Sequence, residues 1–164
     1  MHTTAFDYVA RFGTIEPISV IEIGSKNLNG TARDHFPAAS WIGIDQLPGP
    51  CVDIVCNALD FTPDMQCDLV ICCEVFEHTP DWRRIIERSA EWLVPGGRMI
   101  ITCAGIGREI HSAIDGGFVL HFGEWYGNIS ERQLSEAMQF AGLTAIEVSG
   151  NADAGDTYGT ALKA

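Results

Sequence analysis

The sequence is short of the features that mark several classes of protein. No apolar run approaches the roughly 18 residues that a membrane span requires, although 46% of the 164 residues are hydrophobic. The N-terminal stretch MHTTAFDYVARFG has no basic start followed by an apolar core, so no secretion signal is expected. Positive charge is scarce, with 10 Lys and Arg against 22 Asp and Glu and a net charge of −12. Affinity for a phosphate backbone draws on clustered Lys and Arg, so nucleic acid is disfavoured as a partner. The six cysteines, at 51, 56, 67, 72, 73 and 103, include no Cys-x-x-Cys and no Cys/His spacing of the zinc type. Several lie within apolar runs, where a reduced thiol serves as a small apolar filler. Together these points predict a chain of the reducing cytoplasm, with no membrane span and no structural metal.

What is present is an alternation of short apolar runs with amphipathic stretches. Ile18 to Gly30, ISVIEIGSKNLNG, organises the rest. Val20, Ile21 and Ile23 read as a strand buried on both faces, and Gly24 breaks it at a polar turn. A helix is expected after Gly30, with Thr31 and Asp34 at capping-box spacing and Pro37 as its stop. Trp41 to Asp45 reads as a second strand. It ends on a carboxylate about 20 residues beyond the glycine turn, a spacing that suits two ribose hydroxyls. Val52 to Cys56 is a third strand. Asn57 and Ala58 follow it, offering either the edge reader of an adenine or an ordinary turn asparagine.

Cys67 to Cys73 is the most apolar strand and the expected sheet centre. Glu74-Val-Phe-Glu-His78 comes next, with Thr79 as N-cap and Pro80 as first residue of a helix to Leu93. That helix carries Trp82, Ile85, Ile86 and Leu93 inward. Arg98 to Cys103 is a fifth strand after the turn Pro95-Gly96-Gly97. Ser130 and Gln133 form a capping box for a helix to Ala141, with Leu134, Ala137, Met138 and Phe140 or Ala141 inward and Gly142 as its stop. Ala145 to Val148 and a final antiparallel edge strand at Tyr158 to Leu162 complete an α/β, Rossmann-like, doubly wound and mostly parallel sheet of about seven strands. The whole of 1–164 reads as one domain. Residues 104–129 break the pattern with glycines interleaved among His111, His121, Trp125 and Tyr126. They read as the wall or lid of a second ligand's pocket.

Five segments in this order, Glu22-Ile-Gly24, Gly43-Ile-Asp45, Asp53 to Ala58, CDLVICCEVFEHTPDW and LVPGG, resemble the motifs of class I S-adenosylmethionine-dependent methyltransferases, in the group of methyltransferase domain types 11 and 12. The resemblance implies S-adenosylmethionine as cofactor and S-adenosylhomocysteine as product. It implies that Glu22, Gly24, Ser25 and Lys26 meet the methionyl part and that Asp45 holds the ribose. Asn57 and Ala58 then read the adenine, while Cys73 and Glu74 line the amine and sulfonium. The family's turn is Gly-x-Gly-x-Gly, whereas Lys26 and Leu28 stand at its second and third glycines here.

A small-molecule acceptor, methylated on O or N, is expected. His111 and then His78 are the candidate bases for an acceptor that must lose a proton. Trp125, Tyr126 and His111 are candidate acceptor contacts. No metal is assigned, and a metal-assisted variant would draw on Glu74, Glu77, His78 or His111. Two other readings stay open. One is a silent S-adenosylmethionine-binding module completed by a partner. The other is a nicotinamide-dependent oxidoreductase, disfavoured by the missing Gly-x-Gly-x-x-Gly turn.

Overall fold

A seven-stranded sheet in the order β3-β2-β1-β4-β5-β7-β6 runs through the protein. The computed structural model describes residues 3–164. The strands are β1 (Ser19–Ile23), β2 (Ser40–Asp45), β3 (Ile54–Val55), β4 (Cys67–Cys73), β5 (Leu93–Ala104), β6 (Leu143–Asn151) and β7 (Asp156–Lys163). The helices are α1 (Thr3–Ala10), α2 (Trp82–Ala90) and α3 (Glu131–Phe140), with 3-10 turns at Ala32–His35 and Phe76–His78. Strands β1 to β5 are mutually parallel, and β7 runs antiparallel to both β5 and β6.

The central strands are apolar because both of their faces are covered. On β4, Val70 and Cys72 enter the core under α2 and α3, with Ile85, Ile86, Leu134 and Met138. Leu69, Ile71 and Cys73 point the other way, toward Tyr8, Val9, Phe36 and Tyr158. This alternation follows from the period-2 geometry of a strand. A register shift between Cys67 and Leu69 lets Cys67 share the face of Val70. Tyr8 on α1 stacks on Tyr158 of β7 with ring centroids 4.7 Å apart. Four cysteines, at 67, 72, 73 and 103, are buried free thiols, while Cys51 and Cys56 are half-buried. Among the described residues no helix is long and apolar enough to cross a membrane.

The structure corrects several sequence-based expectations. The helix after β1 is only a four-residue 3-10 turn, capped by Thr31, whose hydroxyl accepts from Arg33 N–H. Pro37, which cannot donate to a helix, follows too soon for a longer one. Strand β3 has two residues rather than five. Helix α2 begins at Trp82 and ends at Ala90, and Thr79 holds its approach by accepting from Asp81 N–H at 3.2 Å. Leu93 belongs to β5 instead, which runs through Pro95-Gly96-Gly97 with Leu93 paired to Cys67. Trp92, unassigned from sequence, is buried edge-on against Phe61 at 5.2 Å. Phe140 is 80% exposed, so α3 turns Leu134, Ala137 and Met138 inward without it. The capping box of Ser130 and Gln133 forms as its spacing predicts.

The last strand also differs. β7 lies between β5 and β6, where six consecutive residues are buried, and the sheet edge is β6. That edge is interrupted by a register shift between Thr144 and Glu147, with Ala145 at φ 47°.

Candidate active site

The carboxyl ends of the parallel strands gather two adjoining groups of polar residues. The first surrounds the turn after β1. Gly24 takes φ 73°, and Gly24 N–H and Ser25 N–H both donate to Ile44 O, at 2.9 and 3.1 Å. Asn27 N–H donates to Pro50 O at 2.9 Å, and Asn27 Oδ1 accepts from Gly30 N–H at 2.8 Å. The turn is therefore pinned to β2 and to the following loop without the glycines usual at such places. Asp45 closes β2 and accepts from Lys26 N–H at 3.2 Å and from Leu47 N–H at 2.9 Å, one on each oxygen. The Lys26 stem lies along Gly49, where a Cβ would meet its Cγ at 2.8 Å. Asn57 is exposed, and its Oδ1 accepts from Leu59 N–H at 2.9 Å in a local turn. Ala58 beside it is buried.

Behind the turn, Glu22 is buried, 3.7 Å from Arg33 Nε. Arg33 in turn donates to Cys51 O at 2.8 Å and to Asp53 at 3.1 Å, and Asp53 accepts from Gly43 N–H at 2.7 Å. Arg33 is not visible from sequence, and Asp53 is read there only as the start of a motif segment, because their link to Glu22 joins three separate segments. Glu22 Oε2 and Ser25 Oγ are buried without hydrogen-bond partners. Burial raises the Glu22 carboxyl to about 7, against the opposing pull of Arg33. This fixes a pH dependence of stability. Below about pH 4.5 the group is protonated in both states. From there to about pH 7 the unfolded chain ionises while the folded one resists, so stability falls with rising pH. The full loss is roughly 3 kcal/mol at 1.4 kcal/mol per unit. Denaturant unfolding of wild type and Glu22→Gln at about pH 5 and pH 8 should give a difference that shifts by this order in favour of the variant at the higher pH. An unchanged difference would refute it.

The second group lies beyond β4. Glu74 takes the strained φ of 56°, its N–H donates to Thr102 O, and its Oε1 accepts from Thr102 Oγ1 at 2.9 Å. Cys73, the last residue of β4, is buried, and burial pushes its thiol far up. Val75 links the two groups, because a Cβ on Gly24 would sit 2.2 Å from Val75 Cγ2. Glu77 and His78 follow on the 3-10 turn, and Gly127 N–H donates to Glu77 O at 2.9 Å, which fastens the 104–129 segment there. His78, His111 and Tyr126 form a three-ring cluster with centroids 4.9 to 5.6 Å apart.

The structure thus joins the two histidines named from sequence, 33 positions apart, and adds Glu77 to them. Glu77 is fully buried with both oxygens unpartnered, and His78 Nδ1 is buried and unpartnered too. Each such atom costs about 1–3 kcal/mol when left unsatisfied. Burial pushes the Glu77 carboxyl well above the usual range, with the Glu74 charge adding to it. Burial lowers the His78 imidazole to about 4, and His111 acts in the same direction. Trp125 is half-buried against the main core.

Residues 1–148 match the family model described as a methyltransferase domain. The ubiquinone biosynthesis O-methyltransferase of Marinobacter nauticus is 29% identical over 92 residues, which are 52% of this chain and 39% of that protein. Among solved structures, the 1,6-didemethyltoxoflavin-N1-methyltransferase of Burkholderia thailandensis, bound to 1,6-didemethyltoxoflavin and S-adenosylhomocysteine, superposes with a TM-score of 0.71 at 16% identity. The match covers 97% of this chain and 78% of that one. The DhpI–SAH complex superposes with a TM-score of 0.72 at 21% identity, over 96% of this chain and 82% of that one. At such identities the structural matches establish the fold, and the family match carries the classification. The chain belongs to the methyltransferase domain family.

Proposed function

We propose that this protein transfers a methyl group from S-adenosylmethionine to an oxygen or nitrogen atom of a small molecule. The observation that carries this reading is the buried Ser25 Oγ, which has no hydrogen-bond partner, beside the buried Glu22 carboxylate, the left-handed Gly24 turn and the Asp45 carboxylate. A polar atom left bare at the carboxyl ends of parallel strands is what a polar ligand of that crevice would satisfy. The residues fit the cofactor. Asp45 has lone pairs left on both oxygens for the ribose hydroxyls, since each accepts only one backbone N–H. Asn57 and Ala58 would meet the adenine edge, with the second lone pair of Asn57 Oδ1 as acceptor. Glu22, Gly24, Ser25 and the Lys26 backbone would hold the methionyl part, with Cys73 and Glu74 at the end of β4 beside it. The Lys26 ammonium need not oppose the sulfonium, since its stem lies over Gly49.

When bound, the cofactor supplies a methyl group already activated by its sulfonium, so orientation accounts for much of the rate. The chain's own residues form the acceptor side and orient the acceptor. His78, His111 and Tyr126 form that side, with the 104–129 segment as its wall. His78 stays neutral near pH 7 because its imidazole is lowered to about 4.

Calorimetric titration with S-adenosylmethionine, S-adenosylhomocysteine and NADH tests this. Micromolar binding of both sulfur ligands and none of NADH is expected. Binding of NADH alone would revive the oxidoreductase reading, and binding of nothing would leave the fold without its cofactor.

A further inference from the structure

We infer that Glu77, His78 and His111 form a binding site for one divalent transition-metal cation on the acceptor side of the molecule. Their ligand atoms, one carboxylate oxygen and two imidazole nitrogens, lie within 4.8 Å of one another. Ligands bonded at about 2.1 Å around a tetrahedral cation stand roughly 3.4 Å apart. The set therefore lies near that spacing, and side-chain rotation would bring it closer.

Each member is prepared for such a role. Glu77 is fully buried, and neither of its oxygens has a hydrogen-bond partner. His78 Nδ1 is buried with no partner either. His111 Nδ1 lies 3.2 Å from Glu109 O. A carbonyl only accepts, so Nδ1 carries the proton and Nε2 carries the lone pair. Tyr126 donates to the same carbonyl at 3.1 Å. An imidazole held by a backbone carbonyl through its other nitrogen is the usual support of a metal-binding histidine. The nearby Arg108 guanidinium bonds to Asp156 at 2.6 Å and to Ala154 O at 3.1 Å, and its charge also acts on Glu77. The 3-10 turn fixes Glu77 and His78, and the Gly127 N–H bond to Glu77 O holds the segment that brings His111.

Two imidazoles and one carboxylate suit Zn²⁺, Fe²⁺, Co²⁺ or Mn²⁺, whereas Mg²⁺ and Ca²⁺ prefer oxygen alone. Three protein ligands leave positions open. A cation with open positions lowers the pKa of a hydroxyl that it contacts, which assigns the acceptor to the hydroxyl compounds. This last step rests on the methyl-transfer reading above. In it the hydroxyl proton leaves to water, the oxygen forms its bond to the methyl carbon, and the carbon–sulfur bond breaks with its electron pair remaining on sulfur.

The test is titration of the chelator-stripped protein with Co²⁺, followed by visible absorption, with Zn²⁺ as competitor. One equivalent should bind, with the absorption of a nitrogen-and-oxygen site, and Zn²⁺ should displace it. His111→Ala and Glu77→Gln should each weaken Co²⁺ binding at least tenfold. His121→Ala, on an exposed ring paired with Asp115, should leave it unchanged. His111→Ala should also slow turnover while leaving affinity for S-adenosylhomocysteine intact. Should Glu77→Gln fail to fold, His111→Ala decides alone. No stoichiometric binding, or equal binding by wild type and His111→Ala, overturns the inference. S-adenosylhomocysteine affinity of the stripped protein is measured alongside, so a failed metal site is told apart from a failed cofactor site.

Discussion

Asp45→Ala is expected to weaken binding of S-adenosylmethionine and S-adenosylhomocysteine by about 10²–10⁴-fold. A hydrogen bond to a charged group contributes about 1.5–3 kcal/mol. Two ribose hydroxyls lost together amount to roughly 3–6 kcal/mol, at 1.4 kcal/mol per decade of affinity. The same carboxylate holds the backbone of Lys26 and Leu47, so stability should also fall, by about 1–2 kcal/mol. Asp45→Asn keeps one acceptor oxygen and should lie between the two in both respects. Calorimetry and thermal melts of the three proteins separate the effects. Unaltered affinity in the alanine variant would remove Asp45 from the cofactor site, whatever the melt shows.

Gly24→Ala should lower stability by about 2–4 kcal/mol, or roughly 10 °C in melting temperature for a chain of this size. Two causes add. A side chain at φ 73° costs about 1–2 kcal/mol, and the new Cβ would lie 2.2 Å from Val75 Cγ2, an overlap of the kind that costs about 1–3 kcal/mol. Shortening Val75 to Ala in the same chain removes the second cause only. The double variant should therefore regain the packing part and retain a deficit of about 1–2 kcal/mol. A Gly24→Ala protein that melts with the wild type would show that Val75 yields freely. The glycine would then matter for ligand approach alone.

Local chemistry wrote most of this fold plainly into the sequence. β4 emerges with the residues expected of it, and the Ser130–Gln133 capping box starts α3 as expected, because both rest on neighbours in the chain. Failures came where a distant partner decides. Pro95-Gly96-Gly97 reads as a turn, yet Leu93 pairs with Cys67 and draws the stretch into β5. Tyr158 to Leu162 reads as an edge because it comes last, yet the position between β5 and β6 is a matter of sheet order, which no local pattern encodes.

The candidate site followed the same rule. That Gly24, Asp45, Cys73 and Glu74 stand at strand ends could be read from the local pattern. His78 and His111 were named singly, and only the path of the 104–129 segment makes them neighbours. Glu77 could be named only among the four residues of a metal-assisted variant. Its burial follows from the 3-10 turn that takes Phe76 inward with it, and a period-3 turn of three residues leaves too little pattern to detect.

The bulge in β6 bears on how copies of the protein meet one another. A nine-residue outer strand offers an unpaired row of backbone donors and acceptors, an open template onto which a strand of another chain could be added. The opposite edge, β3, has two residues and is too short to serve. At Ala145 the template is broken, since the backbone turns through φ 47° and the spacing of its hydrogen-bonding groups loses step before Glu147. A flat incoming strand can match one side of that break or the other. With −12 of net charge adding long-range repulsion between copies, the irregularity at Ala145 guards the sheet against edge-to-edge growth.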